Sequence, residues 1–263
     1  MSKKAVFFDI DGTLWDRGNP VPDDTADAIA QLQKNDHLAF INTGRSMGHV
    51  YDESLMRIKW DGIVSGCGTR ITIGDKLIKN VIFSAEEWER IIKLSKAYNV
   101  RMIIEGTEFI YYDHEDYDDD EYGIMLTREL GDKYRRTISG EWGRWEAGKF
   151  SVDLDPDTPA DGWFAGLSGI FKFISHTDLI YEVVPKDCDK SNGMKIVCDE
   201  LGLTLADTIA VGDGVNDIGM MQAAGTSICM GNGMQQAKDI ADYVTGTADG
   251  GGISQALRHL GLI

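Results

Sequence analysis

Two carboxylates near the start of the sequence have a type and a spacing that could do chemistry. Asp9 and Asp11 directly follow the apolar run Ala5–Phe8, and Gly12 permits an abrupt turn after them. Side chains two positions apart on a strand point the same way, so these carboxylates repel each other unless they share a proton or a cation. One could be a covalent nucleophile and the other a general acid and base, with Mg²⁺ held between their oxygens. A turn capped by an Asp side chain is the alternative.

A second acidic pair follows another apolar run, Ile209–Val211. Asp213 and Asp217 come after it, and Gly212 and Gly214 let the backbone pass close to whatever the carboxylates bind. In parallel α/β sheets, functional groups lie at the carboxyl ends of the strands. Two acidic clusters behind two buried strands therefore predict one shared site. For Asp217 alone, capping of the helix that follows is an equal alternative.

Two further segments suit an anionic ligand. Thr43 and Gly44 follow the apolar run Leu38–Ile41, and a hydroxyl followed by glycine between a strand and a helix can bind phosphate. Lys190 stands at the start of a predicted helix, where a positive charge opposes the helix dipole unless an anion compensates it. Taken singly, a helix cap at Thr43 and a solvated Lys190 are the alternatives.

The elements that must position these residues lie at both ends of the chain. Short apolar runs alternate there with segments of helical periodicity, which is typical of right-handed crossovers on a parallel sheet. We therefore predict an α/β fold with one doubly wound sheet built from residues 1–80 and 184–263. The predicted strands are Ala5–Phe8, Leu38–Ile41, Gly62–Val64, Thr208–Val211, Thr226–Cys229 and Asp242–Thr245. The predicted helices are 23–35, 46–58, a segment containing 194–201, one beginning at 217, 235–240 and 253–260.

The middle of the chain, residues 81–183, has a different pattern. A predicted helix at Ala85–Tyr98 is followed by alternating runs with the spacing of hairpins. This pattern predicts a mainly antiparallel sheet with helices on one face. The predicted strands are Arg101–Glu105, Glu108–Tyr112, Lys149–Leu154 and Asp178–Val184. We therefore expect an inserted α+β domain.

The composition excludes several classes of protein. Of 263 residues, 43 are acidic and 26 basic, and the formal charge of −17 disfavours binding to nucleic acid or to an anionic membrane. No apolar run is long enough for a signal peptide or a membrane span. The four cysteines are scattered without metal-binding spacing, which indicates buried thiols in a reducing compartment. We expect a cytoplasmic protein.

Taken in order, these segments resemble the motif series of the haloacid dehalogenase-like (HAD) phosphohydrolases. The matching residues are Asp9, Asp11, Gly12 and Thr13, then Thr43, Gly44 and Arg45, then Lys190, then Gly212, Asp213, Asn216 and Asp217. The long insert and the closing segment Thr247–Leu257 are similar to the Cof-type branch with a class IIB cap. The resemblance implies a Rossmann-like catalytic core, residues 1–80 and 184–263, and an α+β cap, residues 81–183.

The resemblance also implies a role for each matching residue. Asp9 would attack phosphorus to form an aspartyl-phosphate, and Asp11 would protonate the leaving oxygen and then activate water. Mg²⁺ would be held by Asp9, the backbone carbonyl of Asp11, and Asp213. Asp217 would orient Lys190 or the water around the metal. The residues implied to bind the substrate phosphate are Ile10, Thr43, Gly44, Lys190 and Asn216.

The expected function is a Mg²⁺-dependent phosphatase for a small phosphorylated metabolite such as a sugar phosphate, acting as a monomer or a small homo-oligomer. A phosphomutase with the same aspartyl-phosphate chemistry and a non-catalytic regulator that binds such metabolites are the alternatives. The sequence departs from the branch at Ser65–Thr69, where Asn-Gly-Ala is common, and at Ser191–Gly193, where a glycine often follows the lysine. Neither departure removes a catalytic group.

Overall fold

The chain passes between two units, each with its own sheet. The computed structural model describes residues 2–15, 19–117 and 121–263. The first unit comprises Met1–Gly44, Tyr51–Lys79 and Asp189–Ile263. The second, called the inserted unit here, comprises Arg45–Val50 and Asn80–Cys188. The first unit is therefore assembled from segments that are far apart in the sequence.

The N-terminal part of the first unit alternates strands and helices. Its first strand is completely buried, as expected of a strand covered on both faces. The helix that follows buries Ala28, Ile29 and Leu32 and carries two acidic residues in its first turn, where they complement the helix dipole. The elements are β1 (Ala5–Phe8), α1 (Asp23–Lys34), β2 (Leu38–Asn42), α2 (Glu53–Met56), β3 (Gly62–Ser65), β4 (Arg70–Ile73) and β5 (Lys76–Asn80).

The inserted unit combines helices with a second sheet. Its elements are α3 (Ala85–Ala97), β6 (Arg101–Gly106), β7 (Ile110–Tyr111), α4 (Glu121–Tyr134), β8 (Arg135–Arg136), β9 (Ala147–Asp153), α5 (Asp161–Leu167), β10 (Phe171–Ser175) and β11 (Ile180–Pro185). The strand order is β10-β11-β9-β6-β7-β8, antiparallel except between β7 and β8. Trp88 and Trp163 pack with Phe150 on one face, so Lys149 and Ser151 of the same strand point to the other face. The predicted mainly antiparallel α+β architecture is confirmed.

The C-terminal part of the first unit completes the first sheet. Its elements are α6 (Lys190–Leu201), β12 (Thr208–Gly212), α7 (Ile218–Ala223), β13 (Thr226–Cys229), α8 (Gln235–Lys238), β14 (Tyr243–Val244) and α9 (Gly252–His259). The strand order is β14-β13-β12-β1-β2-β3-β4-β5, and neighbouring strands are parallel from β14 to β3. β1 lies between β2 and β12, so both ends of the chain contribute to one carboxyl edge. The predicted doubly wound α/β fold is confirmed.

The segment 46–58 corrects one prediction, because it is not a single helix. The chain makes a short 3₁₀ turn at Met47–His49, becomes extended, and begins α2 only after Asp52. A Cβ on Gly48 would lie 2.9 Å from the Phe109 nitrogen, so this turn packs closely on backbone of the inserted unit. The Asp52 carboxylate accepts from the Ser54 nitrogen at 2.8 Å and caps α2. These two contacts divide the predicted helix.

The strands β4 and β5 have no counterpart among the predicted elements. β4 pairs antiparallel with β3 and extends the sheet beyond its parallel part. Gly74 has a φ of +53° in the turn that leads to β5. Glycine followed by Asp75 between two apolar runs is a hairpin signal, and it was present in the sequence.

Each of the four cysteines is a buried thiol outside any disulfide, which confirms their interpretation as packed thiols. Within the described ranges, no helix combines the length and the apolar character that crossing a membrane requires.

Candidate active site

The carboxyl edge of the parallel strands brings the predicted residues together. Asp9 follows β1, and its backbone nitrogen donates to the Val211 carbonyl of β12 at 3.0 Å. Thr43 follows β2, Asp213 follows β12, and Lys190 is the first residue of α6. Residues that are up to about 200 positions apart in the sequence therefore meet at one place.

Lys190 is buried between two carboxylates. Its Nζ lies 2.6 Å from Asp9 Oδ1 and 2.6 Å from Asp217 Oδ1, and only 2% of the residue is exposed. The alternative of a solvated lysine is therefore wrong. The two anionic partners offset the unfavourable placement of an ammonium group at the N-terminus of a helix.

Asp217 organises the loop after β12 instead of the helix that follows. Its Oδ2 accepts hydrogen bonds from the backbone nitrogens of Asp213 at 2.9 Å and Gly214 at 3.0 Å, while Oδ1 accepts from Lys190. α7 receives no capping hydrogen bond from this side chain, so the helix-cap alternative is wrong. Gly212 leaves the necessary space, since a Cβ there would lie 2.5 Å from Asp217 Cγ.

The loop after β1 is held against Asp213. Gly12 has a φ of +79°, and a Cβ on it would lie 2.3 Å from Asp213 Oδ2, so the approach requires glycine. Thr13 Oγ1 donates to Asp213 Oδ1 at 3.0 Å. The side chain of Ile10 is fully buried, which leaves its backbone for the predicted contact with phosphate.

Thr43 is fixed through its backbone. Its nitrogen donates to the Val64 carbonyl at 2.9 Å, and its carbonyl accepts from the Cys67 nitrogen at 3.0 Å. The preceding Asn42 donates through Nδ2 to the Lys190 carbonyl at 2.9 Å, which ties the end of β2 to the start of α6. No helix begins at Thr43 in this described segment, so its helix-cap alternative is wrong.

Gly44 and Asn216 are partly exposed. Gly44 directly follows Thr43, and Asn216 lies in the short turn Val215–Asp217 between β12 and α7. The structure thus places both residues next to the buried part of the site, while their contacts with phosphate stay predictions.

A left-handed turn at Gly66, Cys67 and Gly68 supports this edge and was missed by the sequence prediction. The three φ values are 58°, 52° and 82°. A Cβ on Gly68 would lie 3.0 Å from the carbonyl of Asp189, whose side chain caps α6. A non-glycine residue in this conformation costs on the order of 1–2 kcal/mol, so surrounding contacts must hold Cys67 in place. Gly-Cys-Gly where the related branch has Asn-Gly-Ala is the signal that could have revealed this turn.

Trp15 also lies at the site, and the sequence analysis did not predict it there. Its Nε1 donates to Asp11 Oδ1 at 3.1 Å, and the residue is only 7% exposed. Its position four residues after Asp11 was a weak signal, because a tryptophan close to a strand end is usually part of the core.

Among the residues that the structure describes, negative charge exceeds positive charge at this edge. Asp9, Asp213 and Asp217 offer carboxylate oxygens that lie within 4.8 Å of one another. Burial, and then repulsion from Asp217, raise the pKa of Asp9 well above its usual value, and the same two causes raise the pKa of Asp213 to about 6. Burial alone would lower the pKa of Lys190, but Asp217 and Asp9 outweigh it and raise that pKa. One ammonium group therefore leaves part of the carboxylate charge uncompensated.

A divalent cation fits this set of donors. Carboxylate oxygens are the hard ligands that Mg²⁺ prefers, and its charge would relieve the repulsion among Asp9, Asp213 and Asp217. In the described residues, this carboxylate cluster does not include Asp11. The predicted contribution of Asp11 to a metal site therefore depends on its backbone carbonyl.

Comparison with known proteins finds a family model and a relative that match nearly the whole chain. A family model described as haloacid dehalogenase-like hydrolase matches residues 6–257. YkrA of Bacillus subtilis (strain 168), whose name marks it as a candidate phosphatase, is 28% identical, and the alignment covers 100% of each chain.

Two solved structures show the same fold. BT1666 from Bacteroides thetaiotaomicron, described among phosphatases of the HAD superfamily, has a TM-score of 0.83 at 23% identity and covers 99% of this chain and 96% of its own. BT4131, described as a HAD subclass IIB sugar phosphatase, has a TM-score of 0.79 at 23% identity and covers 99% and 100%.

Proposed function

The chain belongs to the haloacid dehalogenase-like hydrolases, and from that premise we propose that it is a Mg²⁺-dependent phosphatase that acts through an aspartyl-phosphate. That it is a phosphatase of this superfamily follows from the family model and the relatives. The observation that carries the finer proposal is the position of Asp9. Its carboxylate follows the strand between β2 and β12, lies 2.6 Å from Lys190 and belongs to a cluster of carboxylates.

Asp9 would be the nucleophile. One of its carboxylate oxygens attacks phosphorus, the bond between phosphorus and the leaving oxygen breaks, and an aspartyl-phosphate forms. The attack requires the ionised carboxylate. The neighbouring ammonium of Lys190 favours that form, against the burial and the carboxylates that raise the pKa of Asp9.

Asp11 would transfer the proton. In its protonated form it gives a proton to the leaving oxygen, and the resulting carboxylate takes a proton from the water that attacks the phosphorus and releases Asp9. Its place two residues after Asp9, in the turn that follows β1, supports this assignment, and its partial exposure allows it to exchange a proton with water.

The phosphoryl group would be held mainly by charge and by backbone hydrogen bonds, which suits a reaction whose catalysis is largely positioning and charge neutralisation. Lys190 supplies the charge, and Asp217 holds its ammonium at 2.6 Å. The proposed phosphate-binding residues are Ile10, Thr43, Gly44, Lys190 and Asn216.

Mg²⁺ would be held by Asp9, the backbone carbonyl of Asp11, and Asp213. When bound, it supplies positive charge that neutralises the phosphoryl oxygens during transfer. Asp217 takes the supporting role, since its two oxygens already accept from Lys190 and from two backbone nitrogens.

We propose a sugar phosphate or a similar phosphomonoester as the substrate class, in the cytoplasm. The likeness in fold to BT4131, described as a sugar phosphatase, supports this choice. Residues 1–80 and 184–263 would be the catalytic core, and residues 81–183 would be the class IIB cap that selects the leaving group. The phosphoryl-binding residues would contact only the phosphate of a substrate. Other residues must therefore select the leaving group.

The test measures phosphate release by the purified chain and by Asp9→Asn, with Mg²⁺ or EDTA, over a panel of sugar phosphates, nucleotides and cofactor phosphates. Release from a sugar phosphate that requires Mg²⁺ and disappears in the variant is the expected result. Isomer formation without phosphate release would identify a phosphomutase. Unchanged turnover in Asp9→Asn would exclude the covalent mechanism, and no turnover on any compound would leave a non-catalytic regulator.

A further inference from the structure

The side chain of Trp15 makes a contact that sets it apart from the other buried tryptophans of the described residues. The indole N–H groups of Trp88 and Trp145 donate to backbone carbonyls and that of Trp163 to the Ser95 hydroxyl, while the exposed Trp142 donates to the Glu89 carboxylate. A buried indole generally needs such a partner, and a carbonyl satisfies the need. Trp15 instead donates to the carboxylate of Asp11 at 3.1 Å. Trp15 is thus a buried tryptophan whose N–H donates to a charged acceptor, and that acceptor belongs to the proposed active site.

The backbone of the loop fixes the indole in this place. The nitrogen of Gly12 donates to the Trp15 carbonyl at 2.9 Å, and the Ile10 carbonyl accepts from the nitrogens of Leu14 at 2.9 Å and Trp15 at 3.3 Å. The side chain of Leu14 is completely buried and anchors the loop. Trp15 therefore reaches Asp11 from a closed and anchored turn.

The carboxylate of Asp11 benefits from such a fixed partner. Asp11 is partly exposed, so water competes for its oxygens, and a carboxylate can rotate about two side-chain bonds. A hydrogen bond to Oδ1 restrains this rotation. A shift of about 1 Å in a reacting group can cost about a hundredfold in rate, so the orientation has a large effect.

We propose that Trp15 is a positioning residue that holds the Asp11 carboxylate in the orientation for proton transfer to the leaving group. This inference rests on the proposed function, in which Asp11 is the general acid and base. Trp15 would act through the Asp11 carboxylate and would not itself give or take the proton.

The test compares two substrates that differ in their need for a proton. Phenyl phosphate releases a phenol with a pKa of about 10, so its leaving oxygen needs protonation. 4-Nitrophenyl phosphate has nearly the same shape and leaves as a stable anion. In Trp15→Phe, which keeps a ring and removes the donor, kcat/KM for phenyl phosphate should fall about tenfold, and that for 4-nitrophenyl phosphate less than about twofold.

The matched control is Trp60→Phe, which removes an indole N–H that donates to the Leu55 carbonyl in the same unit. It should leave the ratio of the two kcat/KM values unchanged. Equal losses on both substrates in Trp15→Phe would show a merely structural role, and no loss on either would also overturn the proposal. In Asp11→Asn the ratio should change by at least about a hundredfold.

That last variant separates the two proposals. If Asp11→Asn does not discriminate between the substrates, the proposed function fails. If it discriminates while Trp15→Phe does not, only the positioning role fails.

A second measurement does not require Trp15→Phe to fold. The six tryptophans give six indole N–H signals in ¹⁵N-labelled protein. Asp11→Asn should shift one of these signals strongly, because the indole loses a charged acceptor. Six unshifted signals would contradict the contact.

Discussion

Among the described residues, Lys149 of the inserted unit and Lys190 of the first unit are both buried, with 1% and 2% of their surface exposed. Each lies between two carboxylates. Lys190 contacts Asp9 and Asp217, both at 2.6 Å. Lys149 contacts Glu105 at 2.9 Å and also Glu182. The two lysines therefore have the same immediate partners in kind and in number.

The surroundings of these pairs differ in the balance of charge. Around Lys149 the carboxylates gain further donors, since Ser151 donates to Glu105 and His176 lies 3.5 Å from Glu182. Burial would raise the pKa of Glu182, but Lys149 and His176 outweigh it and lower that pKa to about 2.

Around Lys190 the balance is reversed, because Asp213 adds a third carboxylate. Burial and Asp217 raise the pKa values of Asp9 and Asp213. A buried cluster whose charges balance is costly to break by removing one partner, whereas a cluster with uncompensated charge is prepared to receive a cation or a reacting group. We infer that the cluster around Lys149 is structural and the one around Lys190 is functional.

The strongest test of this difference removes one carboxylate from each cluster. Asp9→Asn should lower kcat by at least about 10⁴-fold, because the nucleophile is lost. Its stability should not fall, because the change relieves repulsion. The matched variant Glu182→Gln should keep most of the activity. Steady-state phosphate release checks both, and similar losses in the two variants would contradict the distinction.

Removal of each lysine comes next in size. Lys149→Met leaves two buried carboxylates without their cation, and we expect a loss of about 3–5 kcal/mol in the free energy of unfolding, with or without Mg²⁺. For Lys190→Met we expect a clear loss in the free energy of unfolding in EDTA and a smaller loss with Mg²⁺, because the metal compensates the same carboxylates. Urea unfolding with Mg²⁺ and with EDTA measures this. A metal-dependent loss in Lys149→Met would contradict the structural role of that cluster.

Acid unfolding should distinguish the clusters by the sign of their pKa shifts. Glu182 has a lowered pKa in the folded state, so its stabilisation is complete above about pH 4.5 and is lost as the pH falls towards 2. Its size is on the order of 3 kcal/mol. Glu182→Gln should flatten the fall in stability across this range. Asp9→Asn should leave the fall in place, because the pKa of Asp9 is shifted upward.

The smallest expected effect is stabilisation by Mg²⁺. At a hundred times its Kd, a ligand that binds only the folded state adds about 2.7 kcal/mol. The gain should diminish below about pH 6, where protonation of Asp213 competes with the metal. Asp213→Asn should remove most of the gain, and Glu105→Gln should retain it. Thermal unfolding with and without Mg²⁺ gives the measurement.

Much of the site could be predicted because its residues follow strands that the sequence marks clearly. The buried runs that form β1 and β12 fix the positions of Asp9 and Asp213, and the apolar stripe of α6 fixes that of Lys190. The order of parallel strands then places these residues at one edge.

The remaining features depend on contacts that no local pattern reveals. In segment 46–58, two contacts override the helical periodicity. Asp52 caps α2, and Gly48 packs closely on the Phe109 backbone. The carboxylate of Asp217 accepts from loop nitrogens and from Lys190. In the sequence, an Asp with this role looks the same as an Asp that caps the next helix. The donor of Trp15 is directed by a turn whose hydrogen bonds appear only in three dimensions.

The place of β1 in its sheet has a consequence for the growing polypeptide. β1 is synthesised about 200 residues before β12, which is one of its two partners. At a synthesis rate of about 5–20 residues per second, that edge stays unpaired for roughly 10–40 seconds. An apolar strand with an open edge readily pairs with other chains. The nascent chain is therefore most prone to aggregation while its middle is being translated, and a ribosome that stalls before β12 would release a chain with no active site and an exposed edge.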